Sequence, residues 1–100
     1  MSEIAAEHVR EALRQVFDPE IGINIIDLGL VYDIAVEGDA VRVVMTFTTE
    51  GCPVGGQLLV EVEEVIANLS DRLEPDVRVT FDPPWTPEMI TPEGKALLGS

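Results

Sequence analysis

Between Leu30 and Phe47 the chain carries two apolar alternations separated by a short break, and this pair restricts the fold more than any other feature. Leu30, Tyr32, Ile34 and Val36 form the first series and Val41, Val43, Met45 and Phe47 the second, the period-two signature of half-buried strands. Gly38-Asp39 between them suits a two-residue hairpin turn. Such a turn sets Val36 opposite Val41, Ile34 opposite Val43, Tyr32 opposite Met45 and Leu30 opposite Phe47, so one register gathers every large apolar side chain on one face. It also sets Gly29 opposite Thr48, which brings Asp27-Leu28-Gly29 and Thr48-Thr49 to the same end of the hairpin.

A hairpin with one apolar face needs a cover, and the flanking segments provide it. From Glu3 to about Phe17 the residues Ile4, Val9, Ala12, Leu13, Val16 and Phe17 recur at helical spacing, with Glu7, Arg10, Glu11 and Arg14 opposite. Ser2 suits the N-cap, and Asp18-Pro19 should end this helix because the residue before proline avoids helical geometry. Asp18 to Asp27 reads as a structured loop. After Cys52, the residues Val54, Leu58, Val62, Val65, Ile66 and Leu69 mark a second amphipathic helix, with Pro53 at its first position and Cys52 at its N-cap. Val77, Val79 and Phe81 then read as a third strand, which a right-handed crossover makes parallel to the second. Asp82-Pro83-Pro84-Trp85 consequently arrives near Cys52. Thr86-Pro87-Glu88 and Thr91-Pro92-Glu93 read as short turns, each with a Thr cap before Pro. The expected fold is α+β, a two-layer α/β sandwich in the order α-β-β-α-β with a small mixed sheet. At 100 residues and 46% hydrophobic content, one domain spanning 1–100 is expected.

Composition excludes several functions. Nineteen acidic against six basic residues give a net charge of -13, a field that repels phosphate backbones and anionic lipid, so neither nucleic acid nor a membrane surface is an expected partner. Solubility accounts for that charge more simply than an acidic docking surface does. No apolar run approaches the roughly 20 residues of a membrane span, and Met1-Ser2-Glu3 does not open a secretory signal. A cytoplasmic location is therefore expected. There is no phosphate loop of the G-x-x-x-x-G-K-[ST] type and no G-x-G-x-x-G after a strand. The single cysteine, Cys52, excludes a C-x-x-C site and an intramolecular disulfide. A Cys-His nucleophilic pair would need His8 in the first helix, which the topology does not bring to Cys52. An enzyme is not expected.

The candidate site centres on Cys52. A thiol at a helix N-terminus lies near the positive end of the peptide dipole, which favours the metal-binding thiolate; the competing reading is an inert, buried small side chain. Gly51 and Gly55-Gly56 would admit a ligand or a close backbone, or serve tight helix-sheet packing, and the two readings stand even. Asp18 and Glu20 bracket Pro19 and could direct oxygen donors to iron or zinc, although the spacing is no established ligand pattern; Asp18 as a turn or helix cap is the favoured reading. Asp27 before Leu-Gly is either part of the site or a turn former. Trp85, held by two prolines, either caps the core, the favoured reading, or borders the site beside Cys52.

Four motifs in order then resemble one family: Asp18-Pro19-Glu20, Ile25-Ile26-Asp27-Leu28-Gly29-Leu30-Val31-Tyr32, Met45-Thr46-Phe47-Thr48-Thr49-Glu50-Gly51-Cys52-Pro53 and Asp82-Pro83-Pro84-Trp85-Thr86-Pro87. Together they resemble the MIP18-like (PaaD/SufT-type) family over nearly the whole chain. The resemblance implies the fold of iron-sulfur cluster assembly domains, a role in maturing iron-sulfur proteins, and a site at Asp18, Glu20, Thr48, Thr49 and Cys52. PaaD-type members continue into a cysteine-containing tail and carrier ATPases into a nucleotide domain, so the stand-alone SufT-like type fits a chain ending at Ser100 best. The expectation is an accessory factor acting as a transient cluster or iron carrier, or as an adaptor, towards assembly proteins and client apoproteins. One thiol does not hold a cluster by four thiolates, so any cluster or iron would be labile and completed by a homodimer, a partner's cysteines or an external thiol. The alternative is a PaaD-like interaction subunit of a multicomponent oxygenase without its own metal.

Overall fold

The hairpin forms as the alternation predicts from its turn outwards, then departs from it at Tyr32. In the computed structural model, which describes residues 5–48 and 55–98, β1 (Val31–Glu37) pairs antiparallel with β2 (Ala40–Met45), with Val36 opposite Val41 and Ile34 opposite Val43. Asp33 still faces Val44 in that register, but beyond it the register shifts: Val31 faces Met45, which leaves Tyr32 as the extra residue of a bulge. The expected pairings of Tyr32 with Met45 and of Leu30 with Phe47 are thereby replaced, and the Leu30 carbonyl accepts from the Thr46 amide at 2.8 Å. The physical reason lies in the neighbours. Leu28, Leu30 and Val31 are all buried, which strict alternation forbids, and a bulge lets Val31 enter the core while the Tyr32 hydroxyl reaches a polar partner elsewhere.

The remaining elements cover one face of this hairpin. A helix, α1 (Ala6–Leu13), buries Val9, Ala12 and Leu13. It stops short of the expected Phe17 because the chain turns back on itself, with the Val16 carbonyl accepting from Ile25 and Phe17 bridging to Asn24. His8 Nδ1 accepts from the Ala5 amide at 3.1 Å, giving the histidine a local capping role; the proposed Ser2 cap lies outside the described residues. The long helix α2 (Gly55–Leu69) presses Leu58, Val62 and Ile66 fully out of solvent against Val41, Val43 and Met45 of β2 in one core, each such side chain contributing about 1.5–3 kcal/mol. Its expected start at Cys52 and Pro53 also lies outside the described residues. The crossover returns as β3 (Glu74–Val79), parallel to β2 with Val43 opposite Val77 and Met45 opposite Val79, in the sheet order β1-β2-β3. The result is the expected two-layer α+β arrangement. Phe81, assigned to this strand by its spacing, lies past its end.

The C-terminal segment is more ordered than two turns. Pro87–Met89 forms one turn of 3-10 helix, and Pro92–Leu97 forms a short helix, α3. Thr91 caps α3 through its hydroxyl, which accepts from the Gly94 amide at 3.0 Å, as expected; Thr86 makes no side-chain cap. This arm lies over the entrance to β1, where Gly29 adopts a positive φ of 77° and any Cβ would be driven into the Met89 carbonyl. Gly38 in the hairpin turn also has a positive φ, 60°, but nothing surrounds it. Alanine at Gly38 should therefore cost only the backbone penalty, about 1–2 kcal/mol, while alanine at Gly29 adds overpacking for a total of about 2–5 kcal/mol. Urea unfolding of the two variants checks the difference.

Candidate functional site

Three polar segments converge at one end of the sheet, as their spacing predicts. The exit of β2 lies between the approach to β1, through the Thr46 amide on the Leu30 carbonyl at 2.8 Å, and the exit of β3, through the Thr80 amide on the Met45 carbonyl at 2.9 Å. Phe47 meets Phe81 with ring centroids 6.2 Å apart and tilted by 58°, an edge-leaning aromatic contact. The start of α2 packs here too: a Cβ on Gly55 would lie 2.9 Å from the Phe47 ring. For Gly55 the packing reading is thus realised, whereas Gly56 faces open space.

The proposed site residues take different places around this end. Thr48, half-buried, is the last described residue on the way out of β2, and Thr49 and Cys52 lie outside the described residues. Trp85 is half-buried against the core, and its Nε1 donates to the Leu28 carbonyl at 2.6 Å. Asp18 is 1% exposed; its Oδ1 accepts from the Glu20 amide at 2.9 Å and its carbonyl from Ile21 and Gly22. This carboxylate braces a tight turn from inside while Glu20 stands exposed at the tip. Among the described residues no group of three or more His, Cys, Asp or Glu side chains is placed to hold a metal ion.

Asp27 is the most heavily used polar group. Its side chain is buried, and Oδ1 accepts from Arg14 Nη1 at 2.9 Å and from the Thr91 hydroxyl at 3.0 Å, while Oδ2 accepts from Asn24 Nδ2 at 2.8 Å. Its amide donates to Asn24 Oδ1 at 2.9 Å, and its carbonyl accepts from the Thr91 amide at 2.8 Å. Burial pushes the carboxyl upward, but the hydrogen bonds from Asn24, Arg14 and Thr91, with the Arg14 charge, outweigh it and hold the group below the usual carboxylate range. Asp27 thus ties α1, the β1 approach and the C-terminal arm together. Arg14, Asn24, Thr91 and Tyr32 escaped the sequence reading. Arg14 carries no mark separating it from other polar-face residues, and Thr91 reads fully as a helix cap. The Asn24-x-x-Asp27 spacing, in which the asparagine oxygen caps an amide three residues on as at a helix N-terminus, is the one signal present.

Residues 6–83 match the family described as iron-sulfur cluster assembly protein. The chain is 37% identical to the Fe-S protein maturation auxiliary factor YitW of Bacillus subtilis, over 99% of this chain and 98% of that protein. It is 41% identical to the Fe-S protein maturation auxiliary factor SufT of Staphylococcus aureus, over 84% of this chain and 97% of that one. Among solved structures, a domain of unknown function from Bacillus anthracis superposes with a TM-score of 0.88 at 36% identity, covering 94% of this chain and 91% of its own.

The Asp27 hub has a measurable signature. Because its pKa is lowered on folding, it contributes stability at pH values above the unfolded value of about 3.9, and loses that contribution as pH falls through the folded value. Asp27→Asn should be less stable than wild type by about 1–3 kcal/mol at pH 7. That gap should hold down to about pH 5 and close below about pH 4, as read by denaturant unfolding across the pH series.

Proposed function

The chain belongs to the iron-sulfur cluster assembly protein family, and from that premise we propose that it is an auxiliary factor in iron-sulfur protein maturation whose working residue is Cys52. The observation that carries this reading is the end-to-end similarity to relatives named as maturation auxiliary factors. The same relatives favour it over an oxygenase subunit, and they favour an accessory role over a catalytic one.

The chemistry of the chain supports a labile cargo. Cys52 is the only thiol in the sequence, and iron or a cluster prefers thiolate donors. With one thiolate per chain and no group of acidic or histidine ligands among the described residues, the other ligands come from a second copy, a partner's cysteines or an external thiol. Such a ligand set favours release over retention, the property a carrier needs. Thr48 and Thr49 supply hydroxyls beside the thiol in the sequence. Asp18 sets the conformation of the Pro19-Glu20 turn that presents Glu20, and Trp85 borders the site from the arm. The partners are assembly proteins and client apoproteins, met in the cytoplasm; among the described residues no helix is long and apolar enough to cross a membrane.

The test is complementation. In cells lacking the wild-type gene, Cys52→Ala should leave iron-sulfur enzyme activity at the level of the deletion strain, while wild type restores it. Full restoration by Cys52→Ala would reject the thiol's role and leave a thiol-independent adaptor, which anaerobic affinity capture with both proteins would then characterise.

A further inference from the structure

In the sheet order β1-β2-β3, strand β3 has β2 on one side and forms an edge on the other. The Glu74 amide donates to the Asp39 carbonyl at 2.8 Å and the Thr80 amide to the Met45 carbonyl at 2.9 Å. With a period of two between them, the backbone groups of Asp76 and Arg78 also face β2. Those of Pro75, Val77 and Val79 therefore point out of the sheet, where among the described residues no other strand meets them. Proline has no amide, so the outward donors are Val77 and Val79; Val77 is half-buried against the core and Val79 is 37% exposed. On the face of the sheet away from the helices, Arg78 Nη2 and Nε donate to the Asp76 carboxylate at 3.0 and 3.3 Å, and both side chains are exposed. Proline and charge commonly keep a free edge from pairing, and Pro75 does so at one end. Asp76 and Arg78 do not, because their signs differ: opposite charges two residues apart are complementary to their own inverted copy.

We propose that the β3 edge is a self-association surface, on which a second copy of the chain pairs antiparallel about a two-fold axis at Val77. In that register Asp76 of each copy faces Arg78 of the other. Val77 of each exchanges both backbone bonds with Val77 of the other, and Val79 of each donates to the Pro75 carbonyl of the other, where no proline amide is required. Neighbouring registers are excluded by charge, since pairing centred on Asp76 or on Arg78 sets a charge opposite itself. The β1 edge offers no such match: it carries Asp33 and Glu37 and no basic residue. Each chain carries -13 net charge, which opposes the contact at long range, and an added strand buries little area. Association is therefore weak, with a Kd between about 10 µM and about 1 mM. Antiparallel pairing turns the ends where the three polar segments converge in opposite directions, so each candidate site stays open to partners. The proposal rests on β3 and is independent of the role of Cys52.

The experiment is sedimentation equilibrium of the full chain at about 0.15 M salt, from about 10 µM to about 1 mM protein. Wild type is compared with Asp76→Arg and Arg78→Asp, each checked for folding by circular dichroism. Wild type should pass from monomer towards dimer across that range. Each variant alone should associate at least about tenfold more weakly, since like charges then face each other across the axis. Mixed in equal amounts, the two variants should associate as wild type does. A copy positive at both positions then meets a copy negative at both, and the mixed pair carries the same total charge as a wild-type dimer. Wild type that stays monomeric overturns the proposal. So does a wild-type dimer whose strength either variant retains alone, or which the mixture does not restore. Should a variant not fold, amide exchange in wild type decides. Val77 should exchange at least about threefold more slowly, relative to Val43 at the sheet centre, at the highest concentration than at the lowest; an unchanged ratio overturns the proposal.

Discussion

A buried carboxylate must be satisfied or it destabilises the fold that buries it, and Asp27 is satisfied by three separate parts of the chain. Arg14 reaches it from beyond the end of α1, Asn24 from the turn before β1, and Thr91 from the cap of α3. Those elements are otherwise distant in sequence, and a single side chain sets their mutual positions. Arg14 gains as well: the hydrogen bonds from its guanidinium to Asp27 and to Glu11 raise its pKa, Asp27 first. The consequence for function is indirect and physical. With Asp27 fixed, Leu28, Gly29 and Leu30 are fixed, and the exit of β2 is held on one side by Leu30 and on the other by β3.

Much of this arrangement is legible in the residues. The alternation on either side of Gly38-Asp39 gives the hairpin and its inner register, and the spacing of Leu58, Val62 and Ile66 gives α2 and the face it buries. The convergence of three segments at one end follows from those elements by topology. The bulge was not legible, because alternation through Tyr32 looks unbroken until one learns that Val31 is buried as well. Nor was the depth of the arm's attachment: Thr-Pro-Glu predicts a local turn and says nothing of Asp27, which lies 64 positions away from Thr91. The end of α1 was overestimated because Val16 and Phe17 continue the helical spacing although their backbone already pairs with the returning loop.

For the candidate site the division is similar. Sequence gathers Asp18, Glu20, Asp27 and Trp85 around the thiol; the structure separates their roles. Asp18 braces a turn and Trp85 packs on the core and pins the β1 approach, in line with the structural readings favoured for both, while Asp27, open between site and turn former, anchors the arm. The chemistry we propose rests on Cys52 and on Thr48 and Thr49, its neighbours in sequence, in a chain carrying -13 net charge.

The role we propose for Cys52, a transient ligand for iron or a cluster, is read by iron and sulfide analysis with a visible absorption spectrum. Wild-type and Cys52→Ala proteins are purified anaerobically and mildly reconstituted with ferrous iron, sulfide and an external thiol. The account predicts iron, sulfide and visible absorption in wild type only, lost on brief exposure to a chelator. Equal loading of both proteins, or loading of neither, would contradict it.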